Sequence, residues 1–255
     1  MKITILGCGG SSGVPLIGCD CAVCKSANPK NKRLRSSILL EEKNTAVLID
    51  SSPDLRQQAL VNNIRKIDAV LFTHAHADHT GGLDELRAFS HLGNKPLPVY
   101  SNHITLEELK IRFAYAFIPE VPKVWYRPCL IPHEIQDSDK FMVGDMAIES
   151  FPQTHGKIIS LGFKTGDFAY STDTDYLAPE ILENLKGIKI WIVDCLRYGK
   201  APTHSHLEQT LEWIKIVKPE LAILTHMGHE FEYEKLKSDL PPGIVPGYDG
   251  MAVEI

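Results

Sequence analysis

The chain has 255 residues, of which 44% are hydrophobic and 23% are charged, and its formal net charge is −5 at pH 7. We expect one domain over residues 1–255, since this length and apolar content can bury a core. The acidic balance argues against a nucleic-acid partner but not against a small phosphorylated substrate. Because no apolar run approaches the ~20 residues that cross a bilayer and no signal peptide is visible, the sequence predicts a cytoplasmic protein without membrane contact.

Short apolar segments alternate with helical patterns along the chain. Residues rich in branched and aromatic side chains predict strands at 2–7, 37–42, 45–50, 69–73, 97–101, 146–151, 159–165, 168–172, 190–194 and 221–225. Helices are predicted at 53–63, 83–91, 103–115, 179–186, 206–217 and 230–238. The proline-rich segment 116–140 lacks clear periodicity, and we interpret it as a long connection. Strands mixed with helices over the whole length predict a layered α/β fold.

Three of the six cysteines, Cys19, Cys21 and Cys24, form a C-x-C-x-x-C cluster in a loop. Three thiolates can hold one side of a tetrahedral zinc ion and need one further ligand. A redox pair would need only two cysteines, and unpaired buried cysteines fit poorly in a loop that also contains Gly18 and Asp20. We therefore interpret residues 18–25 as a structural zinc loop, and the three isolated cysteines as small buried hydrophobic residues.

The densest group of metal-ligating side chains directly follows the predicted strand at 69–73. It reads Thr73-His74-Ala75-His76-Ala77-Asp78-His79-Thr80-Gly81-Gly82. Imidazole and carboxylate groups suit zinc, manganese and iron. A short loop can aim the first two histidines at one ion and Asp78 with His79 at a second. The two glycines permit unusual backbone angles where the loop turns into the next helix.

Three more potential ligands, His155, Asp173 and His226, each follow an apolar predicted strand. Alone, each would be an ordinary polar group at a strand end. With the 73–82 motif they complete a seven-residue set for two metal ions, in which an aspartate between the cations can bridge them. The set is His74, His76, Asp78, His79, His155, Asp173 and His226.

In this order the seven residues resemble the ligand motifs of the metallo-β-lactamase superfamily. The resemblance implies an αββα sandwich with the metal ions at one edge. It implies one ion on His74, His76 and His155, another on Asp78, His79 and His226, and Asp173 as the bridge. Asp78 and Asp173 would thereby set the catalytic geometry. Asp50, in VLIDSS, matches an upstream aspartate that supports the metal loop from behind the ligands.

The N-terminal GCGGSSGVP, the cysteine loop and the ending GYDGMAVEI resemble one branch in particular, the phosphoribosyl cyclic phosphodiesterases of the carbon–phosphorus lyase pathway. The resemblance implies that His229, three residues after the last active-site histidine, is the fourth zinc ligand. It also implies that His204 faces the substrate, where it would protonate the leaving oxygen or hydrogen-bond the phosphoryl group. The simpler alternative is that His204 or His206 only decorates a helix start. The coenzyme PQQ synthesis B proteins have a similar cysteine loop but commonly incomplete active-site ligands.

Together these features predict a hydrolase that attacks a small or cyclic phosphodiester with hydroxide held between two divalent metal ions. The ions would be zinc or manganese, or else iron, and a third ion would be the structural zinc. Three alternatives remain open: a thioester or lactone hydrolase, an RNA-processing nuclease, and a non-catalytic biosynthetic accessory protein. The family resemblance suggests a homodimer. Lys32, Arg33 and Arg35 form a basic run that we interpret as a solvated surface.

Overall fold

The computed structural model describes residues 1–119 and 126–255, which form two seven-stranded sheets. The strands of the first sheet are β1 (Lys2–Gly7), β2 (Ser37–Glu42), β3 (Thr45–Ile49), β4 (Ala69–Leu71), β5 (Leu97–Ser101), β6 (Leu130–Glu134) and β14 (Ala252–Glu254). Their order in the sheet is β14-β1-β2-β3-β4-β5-β6. Strands β3 to β6 run parallel, whereas β14, β1, β2 and β3 pair antiparallel.

The strands of the second sheet have the order β13-β12-β11-β10-β9-β8-β7. Its strands are β7 (Lys140–Val143), β8 (Met146–His155), β9 (Ile158–Thr165), β10 (Phe168–Ser171), β11 (Ile190–Asp194), β12 (Leu221–Thr225) and β13 (Ile244–Pro246). Strands β10 to β13 are parallel, and β8 points the same way because β9 is antiparallel to both β8 and β10. The carboxyl ends of β8, β10, β11 and β12 therefore lie at one edge of this sheet.

Eight helices lie in the described part of the chain, and most of them pack on the outer faces of the two sheets, whereas the first belongs to the cysteine loop and the third to the metal-ligand loop. They are α1 (Ala22–Lys25), α2 (Leu55–Val61), α3 (Ala77–Thr80), α4 (Arg87–Gly93), α5 (His103–Arg112), α6 (Pro179–Asn184), α7 (Leu207–Val217) and α8 (Tyr233–Asp239), with short 3-10 turns at Pro29–Asn31, Leu83–Leu86 and Ala114–Phe117. None of the helices in the described part of the chain is long and apolar enough to cross a membrane.

The first sheet separates the two largest apolar clusters of the described residues, and a third, small cluster lies at the cysteine loop. Ile5, Val47 and Leu71 face the second sheet and pack in the same cluster as Tyr170 and Trp191. The alternate residues of the first sheet form the other cluster with the helices on its outer face, including Leu48, Val70, Phe72, Leu55, Phe89 and Leu106. Because side chains alternate between the faces of a strand, this arrangement gives four layers. The predicted αββα sandwich is thus confirmed.

The sequence predictions fail at the sheet edges. The segment 116–140 is not only a connection, because it contains β6 and the first residue of β7; its residues 120–125 lie outside the described residues. In β6 (LIPHE) the last four residues are exposed, so no apolar alternation marks it. Strands β13 and β14 have three residues each and are short for a sequence pattern to register.

Candidate metal centre

Five of the predicted site residues follow parallel strands at the same edge of the two sheets. Asp50 follows β3, His74 follows β4, His155 ends β8, Asp173 follows β10 and His226 follows β12. Carboxyl ends of neighbouring parallel strands meet at one edge, which is the usual place for a binding site in such sheets. The fold therefore brings residues that are up to 176 positions apart in sequence into one cluster, from Asp50 to His226.

Three of these residues have left-handed backbone conformations. The φ angles are +63° at Asp50, +53° at Asp173 and +56° at His226. Such conformations in residues other than glycine cost on the order of 1–3 kcal/mol each and concentrate at functional sites. Here they turn the chain sharply at the strand end, so that the side chain points along the sheet edge into the cluster.

The remaining ligands come from the short helix α3. His76 is at the position that precedes its first residue, and Asp78 and His79 lie within the helix. His74 and His79 are fully buried, whereas His76 is exposed, so solvent reaches the cluster on the His76 side.

The expectation of unusual backbone angles at Gly81 and Gly82 was wrong. Their φ angles are −66° and −94°, which any residue can adopt. The reason for glycine is space: a Cβ at Gly82 would lie 2.0 Å from the carbonyl oxygen of Ser52, and one at Gly81 would lie 2.7 Å from that of Ala77. The close approach packs the metal-ligand loop against the segment that begins with Asp50.

The seven predicted residues form two adjoining groups. His74, His76 and His155 make one, and Asp78, His79, Asp173 and His226 make the other; within each group the candidate ligand atoms lie within 4.8 Å of one another. His155 Nε2 lies 3.3 Å from His76 Nδ1. His79 Nε2 and His226 Nε2 lie 3.3 and 3.6 Å from Asp78 Oδ2.

Asp173 lies between the two groups. Its Oδ2 is 3.0 Å from His79 Nε2, and its Oδ1 is 3.4 Å from His226 Nε2 in the second group. The same Oδ1 is 3.9 Å from His74 Nε2 and 3.8 Å from His155 Nε2 in the first group. One carboxylate therefore faces both groups, which is the position a bridging ligand requires.

Unpartnered nitrogens provide the test of whether metal ions fit these residues. The Nε2 atoms of His74, His79 and His226 are fully buried and have no hydrogen-bond partner among the described residues. A buried polar atom without a partner is costly, and structures normally supply one. All three nitrogens point at carboxylates at 3.0–3.9 Å, which are separations spanned by ligands that share an ion with bonds of about 2.0–2.2 Å. The residues present therefore fit divalent ions.

Hydrogen bonds behind the ligands fix the direction of two imidazoles. His79 Nδ1 donates to Asp50 Oδ2 at 2.7 Å, and Asp50 also accepts the backbone N–H and hydroxyl of Thr73 at 2.9 Å each. His155 Nδ1 donates to the carbonyl of Thr203 at 2.6 Å. Each bond uses the far nitrogen and leaves Nε2 as the ligand atom, a common arrangement behind metal-binding histidines.

The pKa values of His74 and Asp173 are shifted towards the forms that bind cations, whereas Asp173, Asp50 and Asp78 outweigh burial and raise the pKa of His79 well above its usual value. Burial lowers the pKa of His74 well below its usual value, and the nearby His79 adds to the effect. Burial alone would raise the pKa of Asp173, but His226 and His79 outweigh it and hold that pKa well below its usual range. Neutral imidazole and ionised carboxylate are the forms that bind metal ions.

His204 lies beside this cluster and is paired with Asp194, a residue that the sequence analysis did not single out. The imidazole rings of His204 and His226 stack at 4.6 Å, and His204 Nδ1 lies 3.4 Å from Asp194 Oδ2. Although burial opposes the charge, Asp194 raises the pKa of His204 to about 9. Asp194 is fully buried at the end of β11 and also accepts the N–H of Ser205 at 3.0 Å. A fully apolar strand that ends in aspartate was the signal available in the sequence.

The cysteine loop forms a separate cluster with the residue that the resemblance implied. His229 Nδ1 lies 3.3, 3.5 and 3.8 Å from the Sγ atoms of Cys19, Cys21 and Cys24. Tetrahedral zinc with Zn–S of about 2.3 Å and Zn–N of about 2.0–2.1 Å separates such atoms by roughly 3.6 Å. The four residues therefore fit one zinc ion. Cys8, Cys129 and Cys195 are buried elsewhere, as predicted.

The interpretation of the basic run as a solvated surface was wrong for Arg33. Its side chain is buried and donates to the carbonyls of Gly228 at 3.0 Å and Phe231 at 2.7 Å. These carbonyls flank His229. Arg33 thus holds the short segment that carries both His226 and His229, and it is not available to a substrate.

Replacing Cys21 by serine is expected to remove one equivalent of zinc and lower the thermal stability, because three ligands and a hydroxyl hold zinc poorly. Metal content and the melting temperature measure the two effects. Cys129→Ser is the control, since it changes a buried thiol outside the cluster. Unchanged zinc in Cys21→Ser would refute the zinc loop.

The fold and the two adjoining groups of candidate ligands define a metal-binding protein of the metallo-β-lactamase fold. A family model described as the beta-lactamase superfamily domain matches residues 45–227. The chain therefore belongs to the beta-lactamase superfamily.

Three proteins are similar to this chain to different degrees. A crystal structure of a diphosphatase from the PhnP family is 36% identical with a TM-score of 0.92, covering 99% of this chain and 96% of the other. Zinc-bound PqqB from Methylobacterium extorquens is 18% identical with a TM-score of 0.79, over the full length of both chains, and shows the shared fold. An octanoyltransferase from Porphyromonas gingivalis is 38% identical over 98% of this chain, which spans only 51% of that protein, about half its length.

Proposed function

We propose that this protein hydrolyses a phosphodiester bond in a small substrate, with two divalent ions on the seven residues around Asp173. Zinc, manganese and iron all suit these ligands. A further zinc ion on Cys19, Cys21, Cys24 and His229 holds the cysteine loop to the segment that carries His226. The similarity to a diphosphatase of the PhnP family supports chemistry at phosphorus.

One observation carries the proposal: a single buried carboxylate, Asp173, faces unpartnered imidazole nitrogens from two ligand groups. When bound, two divalent ions supply an activated water and offset the charge that grows on the phosphoryl oxygens. A site for one structural ion would need only four protein ligands, with no coordination position left open. The exposed edge of His76 leaves the cluster open for a substrate.

The chain's own residues supply the remaining chemistry. Asp173 and Asp78 contact the imidazoles and fix their positions relative to one another. Asp50 orients the ring of His79 through a hydrogen bond to its Nδ1. His204 lies at the edge of the cluster, with Nδ1 3.4 Å from Asp194 Oδ2 and 3.9 Å from Asp173 Oδ1, and would donate a proton to the departing oxygen.

A second candidate is hydrolysis of an acyl thioester by the same centre. The similarity to a protein called octanoyltransferase favours it, because acyl transfer and acyl hydrolysis share attack at a carbonyl carbon. The argument is weaker, since about half of that protein has no counterpart in this chain.

A substrate panel tests the proposal against this alternative. Protein loaded separately with zinc, manganese and iron is assayed on bis(4-nitrophenyl) phosphate, octanoyl thioester and a homoserine lactone. We expect turnover of the phosphodiester to exceed that of both acyl substrates. A preference for the thioester under every metal would favour the second candidate, and no turnover at all would favour an accessory protein.

A further inference from the structure

His204 belongs to a three-residue segment that is held at both ends. On one side, the carbonyl of Thr203 accepts the hydrogen bond that His155 Nδ1 donates at 2.6 Å. On the other side, Ser205 donates its N–H to Asp194 Oδ2 at 3.0 Å and its hydroxyl to the Asp194 carbonyl at 2.6 Å. The segment is thus tied to the ends of β8 and β11. We call these three residues the acid segment, because the middle one is the proposed proton donor.

The ring of His204 lies against one ligand from each of the two groups. It stacks on His226 with 4.6 Å between ring centroids and an interplanar angle of 15°, and its centroid lies 4.7 Å from that of His155. A substrate would react at these ligands, so a displacement of the acid segment moves the proton donor relative to the departing oxygen. A misplacement of about 1 Å can cost about 10²-fold in rate. The position of the acid segment therefore bears directly on turnover.

Gly156, the residue after His155, lies in close contact with the acid segment. Its φ angle is +62°, and a Cβ at this position would lie 2.7 Å from Cγ2 of Thr203 and 3.5 Å from its Cβ. The first separation is a clash, whereas the second is an ordinary contact. The methyl group of Thr203 therefore occupies the space that a side chain at position 156 would need, and glycine permits this approach.

The turn that contains Gly156 is the better anchored of the two partners. The N–H of Gly156 donates to Asp175 Oδ1 at 3.4 Å. Next to it, Asp175 donates its N–H to the Thr154 carbonyl at 2.8 Å, and Thr154 donates its own to the Tyr176 carbonyl at 3.1 Å. In contrast, Pro202 is exposed immediately before the acid segment. A side chain added at position 156 would therefore displace the acid segment rather than the turn.

We propose that Gly156 and Thr203 are positioning residues for the proton donor. Their close contact, together with the hydrogen bond between His155 and the Thr203 carbonyl, sets where His204 lies relative to the departing oxygen. The donor is thereby fixed to a ligand of the first group, so that the two move as one unit. This inference rests on the proposed function and specifies how the same site places its proton.

Gly156→Ala should displace Thr203 and, with it, His204. Two substrates distinguish this from general damage in protein saturated with metal ions. The alkoxide that departs from 2′,3′-cyclic adenosine monophosphate needs a proton, whereas the 4-nitrophenolate that departs from bis(4-nitrophenyl) phosphate leaves without one. We expect kcat to fall at least about tenfold for the cyclic substrate and less than about threefold for the other.

A second substitution in the same chain should reverse the effect. Thr203→Ser removes the obstructing methyl group and keeps the backbone carbonyl that accepts from His155. Combined with Gly156→Ala, it should return the ratio of the two rates to within about threefold of that in the unaltered protein. A ratio that stays low in the double variant would overturn the proposal, as would equal losses on both substrates in Gly156→Ala.

Gly166→Ala is the matched control. Gly166 has a φ angle of +55°, and a Cβ there would meet no atom of the described residues within 4 Å. It lies in the turn between β9 and β10, at the end of the sheet away from the ligands. Because both alanine variants have the same left-handed backbone strain, only the contact with Thr203 distinguishes them. The ratio of the two rates should not change in Gly166→Ala.

Ser205→Ala tests the acid segment from its other end and decides the question if Gly156→Ala does not fold. Loss of the hydroxyl bond to the Asp194 carbonyl should lower the ratio of the two rates at least about threefold. An unchanged ratio in this variant would contradict the proposal. If the unaltered protein hydrolyses neither substrate, the proposed function itself fails.

Discussion

Asp173→Ala is expected to lower kcat for bis(4-nitrophenyl) phosphate by at least about 10³-fold, the upper range for removing one group that stabilises a transition state. Asp173 is buried and lies within 3.0–3.9 Å of four imidazole nitrogens from both ligand groups. Without its carboxylate, the two groups lose the negative charge between them and their common contact. Metal content should fall together with turnover.

Asp167→Ala is the control for this variant. Asp167 directly precedes β10, at the opposite end of the strand that Asp173 follows, and it pairs with Lys189 on the surface. Because exposed ion pairs contribute little, its loss should leave turnover and metal content unchanged. If Asp173→Ala kept both full turnover and both active-site ions, the shared-carboxylate arrangement would be refuted.

Much of the fold and of the centre could be predicted because the informative residues stand at strand ends. An apolar strand followed at once by aspartate or histidine is visible in one dimension, as at Asp173 and His226. To predict that such residues lie close together, one needs only to add that the carboxyl ends of neighbouring parallel strands meet at the same edge of the sheet. Asp194 has the same pattern at the end of β11, but its role depends on the partner His204, which nothing local to the strand indicates.

Other features depended on tertiary contacts that sequence patterns do not carry. Arg33 looks like part of a solvated charge run, and only the carbonyls of Gly228 and Phe231, almost 200 residues away, explain its burial. Strand β14 pairs with β1 and so joins the two ends of the chain.

His204→Ala is expected to have an effect that depends on the leaving group. Loss of a positioned acid costs about 10²–10⁴-fold when the departing oxygen needs a proton. An alkoxide, as in the ring opening of 2′,3′-cyclic adenosine monophosphate, needs one, whereas 4-nitrophenolate leaves readily without it. We therefore expect a loss in this range for the cyclic phosphodiester and a loss below about tenfold for bis(4-nitrophenyl) phosphate.

Asp194 acts through His204. Asp194→Asn should therefore change the hydrolysis rates of the two substrates in the same direction as His204→Ala does, but by a smaller amount. His206→Ala is the matched control, because this histidine is only two residues away but contacts Gln209 at the start of α7. The rates at which His206→Ala hydrolyses the two substrates should equal those of the unaltered protein. Since a purely structural defect would slow both substrates alike, the ratio of the two rates is the decisive measurement. Equal losses in His204→Ala would mean that this ring shapes the ligand cluster through its stacking on His226, and that another group delivers the proton.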